Sequence, residues 1–228
     1  LQETKTQDVS FPANEIAEAG WPYQAIRGEK SYNGVAILSR FPIEKTSYQD
    51  WVGKGDCRHI VAQIKGINIH NIYLPAGGDI PDRDENIKFG HKLDFVSEVT
   101  EYFEQEKPAK SVLVGDLNIA PLAEDVWSTK QLRNVVSHTK IERENLIAMQ
   151  ERGGWVDAVR DFFGVDKILY SWWSYRARDY ISSNRGRRLD HAWTSTDLAP
   201  QIQKVEIHSN TRGWKQPSDH VPISLQLG

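Results

Sequence analysis

Apolar residues fall in short runs along most of this chain, and each run predicts an element. GVAIL (34–38), HIVAQI (59–64), INIHNIYL (67–74), SVLVG (111–115), LDHAW (189–193), KVEIH (204–208) and VPISLQL (221–227) read as β-strands. In the last, Val221, Ile223, Leu225 and Leu227 alternate with polar residues, the period of a half-buried strand. Lys65-Gly66 between two such runs predicts a tight antiparallel hairpin. A helical period appears in three places. In 84–107, Ile87, Leu93, Val96, Val99 and Phe103 recur at helix-like spacing until Pro108 stops the segment. The stretch 141–152 is amphipathic and ends at Gly153-Gly154, and WVDAVRDFF (155–163) reads as a third short helix stopped by Gly164. Strands mixed with helices, hairpins included, predict an α/β chain layered on a sheet core.

Composition sharpens this only a little. At 228 residues, with 39% hydrophobic and 26% charged positions, the chain is an ordinary globule of one domain, residues 1–228. No stretch approaches the roughly 18 uninterrupted apolar residues of a membrane span, and residues 1–15 carry no secretory pattern. Cys57 is the single cysteine, which excludes an intrachain disulfide and fits a reducing compartment; after the turn-like GKGD it reads as a structural thiol. The net charge of −3 argues against nucleic-acid binding by bulk charge. It averages over opposite regions, however. Residues 79–106 hold nine acidic against three basic residues, a solvated helix face. Residues 170–188 hold Arg176, Arg178, Arg185, Arg187 and Arg188 against Asp179 alone, among Tyr170, Trp172, Trp173, Tyr175 and Tyr180. That mixture suits a surface that meets phosphates and stacks on bases or sugars, and equally a Trp-anchored core edge.

Four polar clusters stand at the ends of predicted strands: Gln2-Glu3-Thr4, Gly115-Asp116-Leu117-Asn118, Arg188-Leu189-Asp190-His191 and Ser218-Asp219-His220. Singly each is a turn former or helix cap. Together they hold what phosphodiester hydrolysis requires: hard carboxylate oxygens for Mg2+, a second carboxylate for the attacking water, and a histidine with a carboxylate partner. No close-spaced Cys/His set for zinc, GxxxxGK[ST] or GxSxG occurs.

The series LQETK, NIYLPAGG, GDLNIAP, SWWSYR, NRGRRLDH and PSDHVPI resembles, in order and over the whole chain, the motifs of the exonuclease III family of AP endonucleases. The resemblance implies a four-layer α/β/β/α sandwich of two packed mixed sheets. It implies a Mg2+-dependent DNA repair nuclease (Mn2+ as a substitute) that cuts 5′ to abasic sites and at 3′ ends of duplex DNA. Glu3, with Asp219, matches the metal ligands. Tyr73, Asp116, Asn118, Asp190 and His220 match the catalytic set. Asp116 there prepares the water, Asn118 and Tyr73 approach the scissile phosphate, and Asp190 orients His220. Lys88, Trp172, Arg176, Asn184 and Arg187 match DNA-binding positions, Trp172 as the wall of a pocket for a flipped abasic sugar. The implied protein is a cytoplasmic monomer, nucleoid-associated if bacterial, with no membrane partner. His59, His70, His91, His138, His191 and His208 match no catalytic position.

Two departures accompany the resemblance. Ala76 stands where the family has a phosphate-contacting polar side chain. The family's opening strand and first helix, with a supporting Asn, have no counterpart before LQE, so an incomplete N-terminus is expected. Two other functions remain open: a superfamily phosphatase acting on a lipid or inositol phosphate, and a DNA-binding form with little activity.

Overall fold

The computed structural model describes residues 1–176 and 179–228; Arg178 of the arginine-rich segment lies outside them. In chain order the elements are α1 (Ala13–Glu18), β1 (Tyr23–Arg27), β2 (Val35–Ser39), β3 (Ile43–Ser47), β4 (His59–Ile64), β5 (Ile67–Tyr73) and α2 (Ile87–Glu106). Then follow β6 (Ser111–Asp116), α3 (Thr129–Leu132), α4 (Lys140–Arg152), β7 (Trp155–Asp157), α5 (Ala158–Phe163), β8 (Trp172–Trp173) and α6 (Tyr180–Ser183). The last are β9 (Gly186–Arg187), β10 (Asp190–Ser195), β11 (Ile202–Ile207) and β12 (Ile223–Leu227). No helix among the described residues is long and apolar enough to cross a membrane.

A six-stranded mixed sheet, ordered β3-β4-β5-β6-β10-β7, forms the centre, with β5 and β6 parallel and the other pairs antiparallel. The period of two along its strands sends alternate side chains to opposite faces. Ile72, Leu113 and Trp193 face α2 and α4, where Phe95, Val96, Val99, Phe103, Leu146 and Met149 close a buried core. Their sequence neighbours Tyr73, Val114 and Ala192 face the other way. There the second β layer covers them, as two antiparallel ribbons, β1–β2 over β4–β5 and β11–β12 over β10. Beyond β1 lies α1, none of whose residues is buried and whose Ala13 carbonyl accepts from Gln24 Nε2 at 2.8 Å. The α/β sandwich implied by the resemblance is therefore the fold.

Local signals explain most boundaries. Lys65 and Gly66 take φ of 51° and 73°, the geometry that a two-residue hairpin between β4 and β5 requires. The Asn86 side chain caps α2, and Lys107 ends it in the left-handed region just before Pro108. Thr139 and Glu142 form a reciprocal capping box at the start of α4. One expectation needs correcting. Of the segment 155–163, only Ala158–Phe163 is helical. Trp155–Asp157 forms β7 because it pairs with Trp193, Thr194 and Ser195 of β10, and Asp157 then caps α5.

Candidate active site

Sheet register assembles the site. At one end of the inner strands of the central sheet, Tyr73 on β5 pairs with Asp116 on β6, and Asp116 pairs with Asp190 on β10. Three residues from three strands thus stand side by side. Gly115 permits it: its φ is +153°, and a Cβ there would meet the Ile72 carbonyl oxygen at 1.8 Å. After β6 the chain turns sharply. Asn118, at φ +51°, points its amide back so that Nδ2 donates to Asp116 Oδ2 at 3.0 Å and to the Leu74 carbonyl at 2.9 Å. His220 arrives on the segment before β12. Its Nδ1 lies 2.8 Å from Asp190 Oδ2 and its Nε2 lies 3.9 Å from Asp116 Oδ2.

These neighbours move the proton affinities. Burial raises the Asp116 carboxyl to about 7, and the negative charge of Asp190 adds to that against the opposing pull of His220. Burial works against the charged form of His220, yet its hydrogen bond to Asp190 and the surrounding carboxylates raise it to about 9. The Tyr73 hydroxyl donates to Glu3 Oε1, and burial with that bond pushes its pKa up, so it stays protonated. Glu3, whose φ is +52°, also pairs with Lys5 at 2.6 Å. Burial alone would raise its pKa, but the bonds from Lys5 and Tyr73 bring it down.

Donor atoms of Asp116, Asp190 and His220 lie within 4.8 Å of one another, a group able to hold a metal ion. Glu3 and Asp219 are not in that group. They line the same groove, where Asp219 Oδ2 accepts from Trp172 Nε1 at 3.0 Å. The groove, about 1010 Å³, runs from Glu3, Tyr73, Asp116, Asn118 and His220 to Trp172, Arg176 and Arg187. Two expected DNA contacts lie elsewhere. Lys88 sits exposed on the first turn of α2 and is not among the groove residues. Asn184 accepts from Trp173 Nε1 at 3.2 Å and borders a separate cavity beside β11. Sequence reasoning missed Trp127 and Ser137 on the groove wall, and buried Lys92 beneath it, since no local pattern marks them. The unassigned histidines 59, 70, 138 and 191 are buried.

The model of the endonuclease/exonuclease/phosphatase family matches residues 1–220. The chain belongs to that family. Within it, the chain is 32% identical to an exodeoxyribonuclease of Bacillus subtilis, over 99% of this chain and 85% of the relative. Among solved structures, an AP endonuclease from Archaeoglobus fulgidus superposes with a TM-score of 0.91 at 29% identity, covering 99% of this chain and 86% of that one. A 3′ phosphatase from Neisseria, bound to a product DNA hairpin, superposes with a TM-score of 0.90 at 27% identity, covering 100% and 87%. In this family member residues of all six motifs meet around one groove, while Asn184 of NRGRRLDH, and Lys88 outside the motifs, lie away from it.

Proposed function

We propose that the chain is a Mg2+-dependent DNA repair nuclease, a single domain over residues 1–228, that hydrolyses phosphodiesters 5′ to abasic sites and at 3′ ends of duplex DNA. One observation carries this reading: Tyr73, Asp116 and Asp190 stand in one cross-strand row, with His220 hydrogen-bonded to the last of them. The names of the relatives, nucleases and a 3′ phosphatase seen with DNA, support the same substrate.

The donor set fits a divalent cation. Ligand atoms of Asp116, Asp190 and His220 converge within 4.8 Å, and the Glu3 and Asp219 carboxylates line the same groove, a supply of hard oxygen donors that suits such a cation. Glu3, with Asp219, would hold it through oxygen donors suited to Mg2+. When bound, the ion supplies polarisation of the phosphoryl oxygen and charge stabilisation for the leaving oxygen. The side chains supply the rest. Asp116, poised near neutral pH, orients the attacking water and takes its proton. Asn118 holds the Asp116 carboxylate in place through Nδ2. His220, cationic at neutral pH with Nδ1 occupied by Asp190, turns Nε2–H toward the negative charge that grows on the phosphoryl group. The Tyr73 hydroxyl, held protonated, is a second donor. On this reading the partner is double-stranded DNA with abasic sites or 3′ ends, and the protein is a cytoplasmic monomer.

The test is incision of a duplex carrying a tetrahydrofuran abasic analogue, with Mg2+, with EDTA, and with Mg2+ restored. Cleavage 5′ to the analogue, lost in EDTA and recovered with Mg2+, is expected. DNA bound but uncut overturns the nuclease reading in favour of a binding form. Release of phosphate from a phosphoinositide with no DNA cleavage overturns it in favour of a phosphatase.

A further inference from the structure

Beyond the residues around the phosphate, the groove has an outer wall whose far end, at Trp127 and Arg185, plays no part in the steps above. Bridges between short strands set residues side by side: His220 opposite Trp172, Trp172 opposite Arg187, and Arg187 opposite Val126. Three inter-strand steps of about 4.8 Å put Val126 roughly 14 Å from His220 along this wall. The next residue, Trp127, donates its backbone N–H to the Gly186 carbonyl at 3.2 Å and lines the same groove. The Arg185 guanidinium lies 4.7 Å from the Trp127 ring centroid, and that of Arg187 lies 5.3 Å from the Trp172 ring. Two indole–guanidinium pairs therefore follow one another outward from His220.

Among the described residues neither arginine forms an ion pair with a carboxylate. Arg187 donates from one terminal nitrogen to Ser137 Oγ at 2.7 Å and to the Val136 carbonyl at 3.3 Å, while its buried Nε has no partner. A partly buried guanidinium with no direct carboxylate partner and an idle buried donor is costly unless something enters the groove to meet it.

We propose that Trp127 and Arg185 form a stacking subsite for an unpaired, base-bearing nucleotide, beyond the place at Trp172 for a baseless sugar. This rests on the nuclease reading. A baseless sugar hangs one ring from its phosphate and ends against Trp172. A nucleotide that keeps its base reaches further along the wall, to Trp127. Every base has a π-face, so stacking there is tolerant of sequence, and the guanidinium adds a cation–π contact. Arg187, between the two indoles, offers its donors to the same nucleotide. The substrate that gains most is an unpaired 3′-terminal nucleotide, because unstacking it costs least.

The test compares kcat/KM on two duplexes, one ending in a mismatched 3′-terminal dT and one carrying a tetrahydrofuran site. The deciding quantity is the ratio of the two. Trp127→Leu is expected to lower that ratio about 10-fold, within the roughly 5- to 150-fold worth of one stacked base, chiefly through KM on the mismatched end. Trp127→Phe, which keeps a ring, is expected to restore most of it. An unchanged ratio, whether both activities fall together or neither falls, overturns the subsite. A wild-type protein that cuts neither duplex overturns the nuclease reading instead. Fluorescence of 2-aminopurine placed at the mismatched 3′ end then decides the subsite: quenching on binding that Trp127→Leu abolishes supports it, and equal quenching in both proteins overturns it.

Discussion

Replacing Lys92 with Met removes a buried cation that ties the floor of the groove together. Lys92 is wholly buried, with Nζ 2.5 Å from Glu142 Oε1, 2.9 Å from the Asn118 carbonyl and 3.2 Å from the Ala76 carbonyl. Glu142 in turn accepts from the Ser137 and Thr139 backbone N–H groups, at 2.9 and 3.1 Å. Met fills nearly the same volume, so the loss is electrostatic: a fully buried carboxylate without its partner, worth about 3–5 kcal/mol. For a chain of this size that lowers Tm by roughly 10 °C. Urea denaturation followed by circular dichroism reads the loss as a lower midpoint at an unchanged m-value. Adding Glu142→Gln removes the stranded charge, and the double variant is expected to recover more than half of the stability. Activity is a separate matter. Asn118 sits at φ +51°, a conformation that costs about 1 kcal/mol or more to hold. Without the ammonium on its carbonyl the amide beside Asp116 drifts, and kcat is expected to stay up to ~100-fold low in the refolded double variant. A Lys92→Met protein within 1 kcal/mol of the parent, or a double variant no more stable than the single one, refutes this account of the strut.

Three further predictions concern proton affinity and turnover. Asp190→Asn removes the partner that holds His220 at about 9, so its imidazole midpoint, followed by NMR in metal-free protein, is expected to fall by at least one unit, about 1.4 kcal/mol; a midpoint still near 9 contradicts the pairing. Asp116→Ala is expected to cost about 10³-fold or more in turnover while DNA affinity by fluorescence anisotropy stays within a few-fold, and near-normal turnover sinks its assigned role. Burial lowers His70 and His191 to about 4 from 6.5, so in this window the unfolded chain binds protons that the folded one refuses. The stability they confer is therefore complete above pH 6.5 and is lost as pH falls toward 4, by about 1.4 kcal/mol per unit for each; His70→Gln is expected to flatten that slope in urea midpoints measured from pH 7 to 5.

Elements whose causes lie within a few residues were legible in the chain. The β4–β5 hairpin needs only two residues that accept positive φ, and Lys65-Gly66 supply them. The end of α2 follows from Pro108, whereas its start at Ile87, capped by Asn86, falls three residues inside the segment read from the sequence. The segment 155–163 was misread because its amphipathic pattern is local, whereas the partner that makes Trp155–Asp157 a strand, β10, lies some forty residues on. The chemical identities of the site, Glu3, Tyr73, Asp116, Asn118, Asp190 and His220, were likewise readable as ordered motifs. Their spatial arrangement was not.

Sequence by itself thus determined the residue types able to do the chemistry, the family they resemble, and the short-range turns and caps. Tertiary structure decided which of them meet. Tyr73, Asp116 and Asp190 form a row only because β5–β6 and β6–β10 pair in one register, a choice enforced when alternate side chains must bury on opposite faces of the sheet. Trp127 joins the groove because its segment bridges to Gly186 and Arg187, and Asn184 leaves it because its side chain is turned to Trp173. Lys92 looks like any charged helix residue until α4 brings Glu142 against it. Burial and electrostatic pairing depend on what arrives from elsewhere in the chain, and no local pattern of hydrophobic and polar positions carries that information.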